Sequence, residues 1–445
     1  MKLKGLLIAC LVLAALLGAL YWSNHHPNAG SSTKAATDAT PKILSLAQPD
    51  ITGLTITRKD QPAVTLIRNN SGEWQITAPQ PLAADQDSVS NLLSALSSLN
   101  AERLLEDKVS NLASYGLAAP AVQLDVTLKN NKSKKILIGD ATPAGNAFYA
   151  MLDGDPRLFT VATYTKSSLD KSADDLRDKR LITADFDKAT QLELITEKAG
   201  AHQDITLARS KDSWQIVKPG PFRTGSDQVD DLIRLLKDAK METGSSTNAS
   251  ANAAAFKSAS PVAQAKIVGA SGTQELEIRK AKEQYYAKSS ILPGVYEVPA
   301  SVGTSLNKSV DDLRNKKLFD FGFEDPNKIE IHDGAKSYFF SRSGSDWYGP
   351  DGKKLDGVSF AQLLGDMRDL AATKFPNSGF TAPAINLVVT AKDGKDVERI
   401  AIAKSGEDYI AKRDNEPALY ELSSATIQEL QRSIGEVKPA ASPSK

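Results

Sequence analysis

Histidines and carboxylates are the side chains that could carry chemistry in this chain. Four histidines are present, with His25-His26 adjacent and His202 and His332 far apart in the sequence. His25-His26 could pick up a metal ion but has no fixed surroundings to orient its rings. His202 falls in a predicted turn and His332 at a predicted strand end, which favours surface or capping roles. A zinc site or a His-paired nucleophile would have to use these two distant residues, so neither is predicted.

The carboxylates are plentiful, so composition alone leaves a two-carboxylate glycosidase open. Asp85, Asp87 and Asp227 fall at predicted turns and helix starts, where a carboxylate accepts backbone N–H groups. Asp153-Gly154-Asp155 lacks the further oxygen ligands of a calcium loop and is typical of a hairpin turn. The sequence has no Gly-x-Ser-x-Gly, His-Glu-x-x-His, P-loop or Gly-x-Gly-x-x-Gly motif. We therefore predict no catalytic residue, metal ligand or cofactor.

A repeated unit organises the rest of the chain, and Trp74, Trp214 and Trp347 mark its three copies. Before each Trp come two runs that alternate apolar and polar residues, as strands with one buried face do. The second run closes on an arginine that could stack on the indole ring: Arg68, Arg209 and Arg342. After Trp74 and Trp214 the third strand runs into Pro79 and Pro219, which cannot donate to a ladder.

Aromatic residues recur later in the unit as well, at Tyr149, Tyr286 and Tyr409. A repeated aromatic could be a platform on which sugars stack. Core or cross-strand packing is the more typical role, because three copies need the same core but rarely the same ligand. We therefore interpret the repeated Trp and Tyr positions as structural.

A helix follows each Trp strand. Apolar residues recur there at i, i+3, i+4 and i+7, which places four side chains on one stripe facing the sheet. The three stripes are Val89, Leu92, Leu93, Leu96; Val229, Leu232, Ile233, Leu236; and Phe360, Leu363, Leu364, Met367.

The ends of the units differ. Units one and two close on similar segments, 174–181 and 311–318, where acids precede bases as at a solvent-exposed helix end. Unit three closes on an amphipathic helix near Ile427, Leu430 and Ile434. Within unit two, a Ser/Ala/Asn-rich segment around 245–254 predicts a mobile loop.

These patterns predict an α+β fold, with one N-terminal transmembrane helix followed by three repeated domains that each join an antiparallel sheet to a helix. The predicted segments are a signal anchor at 1–22, a flexible tether at 23–42, repeat domains at 43–183, 184–320 and 321–437, and a disordered tail at 438–445.

The predicted membrane anchor is the uncharged stretch from Gly5 to Trp22, about 27 Å long as a helix. That is near the roughly 30 Å of a bilayer core. Lys2 and Lys4 precede it, which predicts a cytoplasmic N-terminus and an exported body. The residues expected to contact lipid or the interface are Leu6, Leu7, Leu11, Leu16, Leu20, Tyr21 and Trp22.

Two alternatives to an uncleaved anchor stay open, a cleaved signal peptide and a lipoprotein. The second depends on Leu7-Ile8-Ala9-Cys10, which is similar to a lipobox, although the apolar run continues well past Cys10. Cys10 is the only cysteine, so no disulfide forms in the body. Basic and acidic residues balance at 54 each without long blocks of either sign, which argues against nucleic-acid binding.

The order of these motifs resembles that of the DUF4340 family of bacterial proteins. The motifs are the Trp-x-Ile-x-x-Pro strand, the Leu-Leu helix, Tyr115-Gly116-Leu117-Ala118-Ala119-Pro120, the turn at Ile138-Gly139 and the segment 175–179. The resemblance implies a protein anchored in the inner membrane with its body in the periplasm. It also implies partners among ABC-transporter permeases or their auxiliary subunits, and it supplies no catalytic residues.

Three classes of function are consistent with these features of the sequence. The leading hypothesis is a non-enzymatic accessory or scaffold protein of a transport or envelope complex. The second is a periplasmic module that binds glycan or cell wall through exposed aromatic residues. The third is a hydrolase that uses scattered carboxylates. The oligomeric state is not predicted.

Overall fold

The structure is a computed structural model that describes residues 41–211, 213–245, 249–321 and 326–441. The predicted anchor and nearly all of the predicted tether lie outside the described residues. Within those ranges, no helix is both long enough and apolar enough to span a membrane.

The chain divides into two compact units, the first ending at Asp178 and the second beginning at Lys179. The first unit contains a nine-stranded sheet and a two-stranded sheet. The second contains an eight-stranded and a seven-stranded sheet. Every strand pair is antiparallel and helices cover the sheets, so the predicted α+β class is confirmed.

The first unit, which we call repeat 1, has eleven strands and three helices in its described part. The strands are β1 (Lys42–Ser45), β2 (Ile51–Arg58), β3 (Val64–Arg68), β4 (Trp74–Ala78), β5 (Leu82–Ala83), β6 (Ser98–Asn100), β7 (Arg103–Glu106), β8 (Val122–Leu128), β9 (Ser133–Ala141), β10 (Ala147–Leu152) and β11 (Leu158–Ala162). The helices are α1 (Gln86–Ser97), α2 (Thr163–Leu169) and α3 (Ala173–Leu176).

The second unit contains repeats 2 and 3. Repeat 2 has β12 (Ala189–Lys198), β13 (Ala201–Ser210), β14 (Ser213–Lys218), β15 (Phe222–Arg223), α4 (Ser226–Lys237), α5 (Ala249–Ser258), β16 (Ser260–Gly269), β17 (Gly272–Ala281), β18 (Gln284–Ser289), β19 (Tyr296–Val298), α6 (Ala300–Leu306) and α7 (Val310–Leu313). Repeat 3 has β20 (Lys328–Asp333), β21 (Lys336–Ser343), β22 (Asp346–Tyr348), α8 (Gly357–Asp369), β23 (Ile385–Ala391), β24 (Asp396–Ser405), β25 (Asp408–Arg413), β26 (Leu419–Leu422) and α9 (Ser424–Glu436).

The three large sheets share one topology. Their central orders are β4-β3-β2-β8-β9-β10-β11, β14-β13-β12-β16-β17-β18-β19 and β22-β21-β20-β23-β24-β25-β26. Each is a pair of meanders joined through the first strand of each meander, and the main helix lies in the connection between them. This arrangement follows from the sequence, because alternating strands must cover their apolar face with the apolar stripe of a helix.

The main helices bury the stripes that the spacing predicts. Val89, Leu92, Leu93 and Leu96 of α1 are at most 2% exposed, and Phe360, Leu363, Leu364 and Met367 of α8 at most 4%. In α4, Val229, Leu232 and Leu236 are buried while Ile233 is half-buried. Asp85 and Asp356 cap α1 and α8 by accepting from the backbone N–H of Ser88 and Ser359.

The three tryptophans occupy equivalent positions, opposite Arg68, Arg209 and Arg342 on the neighbouring strand. Their exposures are 7% for Trp74, 8% for Trp214 and 7% for Trp347, so each ring belongs to a core. The predicted cation–π contact is present at Arg209, whose guanidinium carbon lies 5.1 Å from the centroid of Trp214.

The repeated tyrosines are not all equivalent. Tyr149 pairs with Thr160 and Tyr286 with Glu297, whereas the matching position in repeat 3, opposite Glu421, is Ile410. Tyr409 lies one residue earlier, which makes it the counterpart of Tyr285. Alignment by residue type missed this shift of one residue, which moves a side chain to the other face of a sheet.

The described parts of two segments that were predicted to be irregular, 249–254 and 438–441, are ordered. In place of a mobile loop around 245–254, repeat 2 has the helix α5, in which alanine favours the helix and Phe256 is buried. Its Asn252 is 2% exposed and donates to the carbonyl oxygen of Ser245 at 3.0 Å. In place of a disordered tail, Lys438 accepts from the N–H of Asp356 and Ala440 donates to Lys354. Residues 438–440 are ordered because they pair with residues 354–356, which lie along the sheet edge at β22, and composition does not reveal this contact.

The core role of the tryptophans gives a first prediction. Trp347 stacks on Phe360 with ring centroids 4.4 Å apart. We expect Trp347→Ala to lower the free energy of unfolding by about 3–5 kcal/mol, because it opens a cavity in a packed core. Chemical denaturation measures this. Val358→Ala, at a position that is 81% exposed in the same repeat, is the control and should change stability by less than about 0.5 kcal/mol. A stable Trp347→Ala protein that loses a glycan ligand would contradict the core interpretation.

Candidate functional site: a charged joint between repeats 2 and 3

The candidate site is built around the segment that joins repeat 2 to repeat 3. We call residues 314–319 the connector. It follows the four-residue helix α7, which begins with a capping box between Ser309 and Asp312 and ends at Leu313. The connector then bonds to both repeats, since Asn315 N–H donates to Arg223 of repeat 2 and Lys316 C=O accepts from Ala372 of repeat 3.

The same pattern begins each repeat. Ala101, Met241 and Ala372, which follow the main helices, donate their N–H groups to Pro41, Lys179 and Lys316 respectively. These bonds start the repeats two residues before the predicted boundary at 43 and five before those at 184 and 321. We call the few residues that follow Pro41, Lys179 and Lys316 the leading segments of the three repeats. Each leading segment buries two large apolar residues: Ile43 and Leu44; Leu181 and Ile182; Leu318 and Phe319.

The basic residues of these segments were predicted to lie at a solvent-exposed helix end. Arg180, Lys316 and Lys317 are exposed as predicted, but they are not helical. The helices stop at Leu176 and Leu313, before Lys179-Arg180 and Lys316-Lys317. The chain is extended there because its backbone groups bond to neighbouring segments instead of to a helix turn. Arg180 and Lys317 form isolated bridges with Lys240 and Ala371.

Arg314 begins the connector and is almost fully buried, with 9% of its side chain exposed. Its guanidinium carbon lies 4.2 Å from the ring centroid of Phe222 in repeat 2 and 3.6 Å from that of Phe375 in repeat 3. Asp311 lies 3.4 Å from Nη1. Burial lowers the pKa of Arg314, and Asp311 opposes that shift. A planar cation between two rings from different repeats holds the repeats together by stacking.

A cluster of charges lies beside this stack. Arg223 of repeat 2 reaches into repeat 3, where its Nε lies 3.1 Å from Glu416 and its Nη1 donates to Asp320. Its Nη2 donates to the carbonyl oxygen of Lys317 and lies 3.4 Å from the hydroxyl of Tyr420. Burial alone would lower the pKa of Arg223, but the attraction of Asp320, Tyr420 and Glu416 raises it overall.

Arg413 is the second cation of the cluster and belongs to repeat 3. Its Nε lies 2.8 Å from Glu416, and its Nη2 lies 3.2 Å from Glu398 and 3.1 Å from Asp320. Its Nη1 donates to the carbonyl oxygen of Leu318 in the connector. Glu398 also accepts the backbone N–H of Asp320 at 2.9 Å. Three carboxylates therefore share two guanidinium groups.

Two of the three carboxylates are buried, since 9% of the side chain is exposed in both Glu398 and Glu416. Burial raises the pKa of Glu398 above its ordinary value, while the N–H of Asp320 and the charge of Arg413 oppose that shift. Burial likewise raises the pKa of Tyr420, and Arg223 opposes that shift. The nearby Glu416 raises the pKa of Tyr420 further.

Repeat 3 thus bonds its leading segment through two side chains, Arg413 and Glu398, which we call the socket. Repeat 2 has the same socket for its own leading segment, built from neutral side chains. Ser289 donates to the carbonyl oxygen of Leu181, as Arg413 does to Leu318. Gln274 accepts the N–H of Thr183, as Glu398 accepts that of Asp320. The register confirms both equivalences, since Ser289 pairs with Leu276 and Arg413 with Ile400. Repeats 2 and 3 thus share the socket, and of the two only that of repeat 3 is charged.

A cleft of about 350 Å³ opens next to the cluster in the second unit. Trp214, Asp230, Asn315 and Asp320 are among its lining residues, together with Arg223. Trp214 contributes little surface because its ring is in the core of repeat 2. The surface of the cleft is about half polar and half apolar, and Arg223, the cation among its lining residues, is already bonded to carboxylates.

The other residues weighed from the sequence lie on the surface. His202 contacts Glu197 at 2.6 Å, and His332 contacts the hydroxyl of Ser337 at 2.8 Å. Asp87 and Asp227 lie in the first turns of α1 and α4. Asp153-Gly154-Asp155 forms the hairpin between β10 and β11. In the described ranges, no three His, Cys, Asp or Glu side chains gather where they could hold a metal ion.

Sequence reasoning missed the joint, because its residues are far apart in the chain. Arg223 and Glu416 are separated by 193 positions. One signal was available: repeat 1 carries Ala83 where repeat 2 carries Arg223, next to the matching connector bonds. A charged residue replacing a small one at a repeated position indicates a partner that the other copy lacks.

The solved structures that match include two DNA polymerase proteins of Pseudomonas aeruginosa. The DNA polymerase sliding clamp with ligand is 7% identical, covers 85% of this chain and 93% of its own, and has a TM-score of 0.15. The DNA polymerase III subunit beta is 8% identical, covers 86% and 94%, and has a TM-score of 0.14. These TM-scores are too low to establish a shared fold. No curated protein sequence matches the chain.

Comparison with protein families gives one match, to the family described as "Domain of unknown function (DUF4340)". It covers residues 74–215 and 214–387, which is more than half of the chain. The two matched regions begin on the equivalent residues Trp74 and Trp214, so the match follows the period of the repeat. By sequence and by the repeated unit that carries the match, the chain belongs to the DUF4340 family.

Proposed function

We propose that this protein is a non-enzymatic accessory or scaffold protein, anchored in the inner membrane and serving a transport or envelope complex from the periplasm. The anchor and the location rest on the uncharged stretch before Trp22 and the lysines before it. The transport partner, a permease or auxiliary subunit, rests on the family resemblance. The proposal that there is no catalytic site rests on what the buried charges do.

The joint between repeats 2 and 3 carries this part of the proposal. Glu398 and Glu416 are the kind of buried carboxylates that a hydrolase would use, and both contact Arg413. A general acid needs a proton at neutral pH, and a nucleophile needs open access to substrate. Both carboxylates bond arginine and are only 9% exposed, so neither is open to a substrate. Their geometry favours a rigid support over a reaction centre.

The glycan-binding alternative depended on exposed aromatic platforms. The three repeated tryptophans are at most 8% exposed, which leaves little ring surface on which a sugar could stack. The joint instead favours a role in which the relative position of two domains matters, as in a scaffold that presents surfaces to a partner.

In-cell crosslinking tests the partner. A photoreactive residue at Tyr164, Lys237 or Val358, one exposed position in each repeat, should capture a transporter permease or auxiliary subunit. Mass spectrometry identifies what is captured, and a chain without the photoreactive residue is the control. Capture of peptidoglycan alone from all three positions would contradict the proposal and favour the glycan-binding alternative.

Loss of Arg223 should loosen the joint. Arg223→Gln removes the two ion pairs that repeat 2 makes with Asp320 and Glu416. We expect the free energy of unfolding of the second unit to fall by about 2 kcal/mol, since bonds to charged groups are lost in a largely buried place. Arg234→Gln, which breaks an exposed pair with Asp231, is the matched control and should have little effect. Equal effects of both variants in chemical denaturation would show that the cluster does not hold the repeats.

Loss of the Glu398 charge should raise the free energy of unfolding of the second unit. Glu398→Gln keeps an oxygen for the Asp320 N–H and leaves two carboxylates for two guanidinium groups. Because the pKa of Glu398 is raised in the folded state, its ionised form costs stability at neutral pH. We expect the variant to be more stable at pH 7.5, on the order of 1 kcal/mol. The difference should vanish as the pH falls through the raised pKa, where native Glu398 is itself neutral.

The matched control is Glu275→Gln, the same substitution at an exposed position of repeat 2. Its effect should stay within about 0.5 kcal/mol, because an exposed carboxylate keeps its water. The measurement is urea denaturation of each variant across a pH series. A Glu398→Gln protein that is less stable than the native chain at pH 7.5 would show that the charge is stabilising.

A further inference from the structure

Strand β7 forms one end of the nine-stranded sheet of repeat 1. It covers Arg103–Glu106 and pairs along one edge with β11. Among the described residues, β11 is the only strand paired with it. The other edge of β7 therefore presents backbone N–H and C=O groups that a further strand could bond.

This edge also exposes adjacent apolar side chains. Leu104 is 40% exposed and Leu105 is 45% exposed. The equivalent segments of the other repeats are used differently. After Glu242, repeat 2 turns at Gly244, whose φ is +82°. After Thr373, repeat 3 has Phe375, whose ring packs on the guanidinium of Arg314. The exposed strand is a feature of repeat 1.

Side-chain contacts within repeat 1 hold strand β7 in place. The hydroxyl of Tyr115 donates to the carboxylate of Glu106 at the end of β7. Tyr115 also packs edge-to-face on Tyr149, with ring centroids 4.8 Å apart. Both rings lie against a small apolar cluster that includes the buried Leu117 and Leu158. An ordered strand loses less conformational entropy on pairing than a mobile one would.

The charges at the two ends of β7 complement each other. Arg103 is basic and begins the strand, while Glu106 and Asp107 are acidic and follow the leucines. In an antiparallel pair of identical strands, the basic start of each lies beside the acidic end of the other, and the leucines meet near the two-fold axis. We propose that the β7 edge pairs antiparallel with the β7 edge of a second copy of this chain.

Charged ends on a short strand can also protect a sheet edge from unwanted pairing. Here they oppose a parallel pair, which would set Arg103 beside Arg103, and they favour the antiparallel one. Two adjacent exposed leucines do not serve protection. The interface is short, so the association is weak and isologous, and each copy supplies the same residues.

Mixing of two charge variants tests the pairing most sharply. Arg103→Asp places acids at both ends of β7, and Asp107→Arg places bases at both ends. Each variant alone should dimerise at least about tenfold more weakly than the native chain, since like charges then face each other twice. In an equimolar mixture every facing pair is again opposite in sign, so a mixed dimer should form with native affinity.

The experiment uses the full chain in detergent micelles, with analytical ultracentrifugation over a concentration series and different fluorophores on the two variants. Leu105→Lys should also weaken the dimer, whereas Val358→Lys, an exposed apolar position in repeat 3, should not. A native chain that stays monomeric at all concentrations would overturn the proposal. So would a mixture of the two variants that associates no better than either alone.

Discussion

The guanidinium of Arg314 lies between Phe222 of repeat 2 and Phe375 of repeat 3, and the joint of the second unit depends on this contact. The connector buries Arg314, Leu318 and Phe319, and polar groups in its buried parts need partners. Its backbone finds partners in both repeats. The buried cation finds two π faces and Asp311, so one extended segment becomes a shared part of two domains.

The charges around the connector show how one socket is adapted within the chain. Repeat 2 holds its leading segment with Ser289 and Gln274, and repeat 3 uses Arg413 and Glu398 at the same positions. A neutral socket bonds the backbone equally well. The charged one adds carboxylates that Arg223 can reach from the preceding repeat. We infer that these charges determine which repeat binds at this socket more than they add to stability, since a buried ion pair seldom stabilises more than an apolar contact.

Much of the fold could be predicted because it depends on local patterns. Alternation located the strands, the i, i+3, i+4, i+7 spacing located the main helices, and Trp74, Trp214 and Trp347 occupy equivalent core positions. The errors arose where tertiary contacts decide. Tyr409 was misaligned by one residue, a shift that residue type does not reveal. Lys438–Ala440 is ordered by a sheet edge, and α5 by the burial of Phe256 and Asn252.

The joint could not be predicted, because Arg223, Glu398 and Glu416 come together only when two repeats have folded. We expect that the joint makes repeats 2 and 3 one rigid body. Cysteines introduced at Lys237 and Val358, in a chain whose single Cys10 is replaced by serine, can carry spin labels. Pulsed electron paramagnetic resonance then measures the distance between the two labels. A single narrow distance distribution is the predicted result. A broad distribution spanning many separations would show that the connector is a flexible linker and would contradict the account.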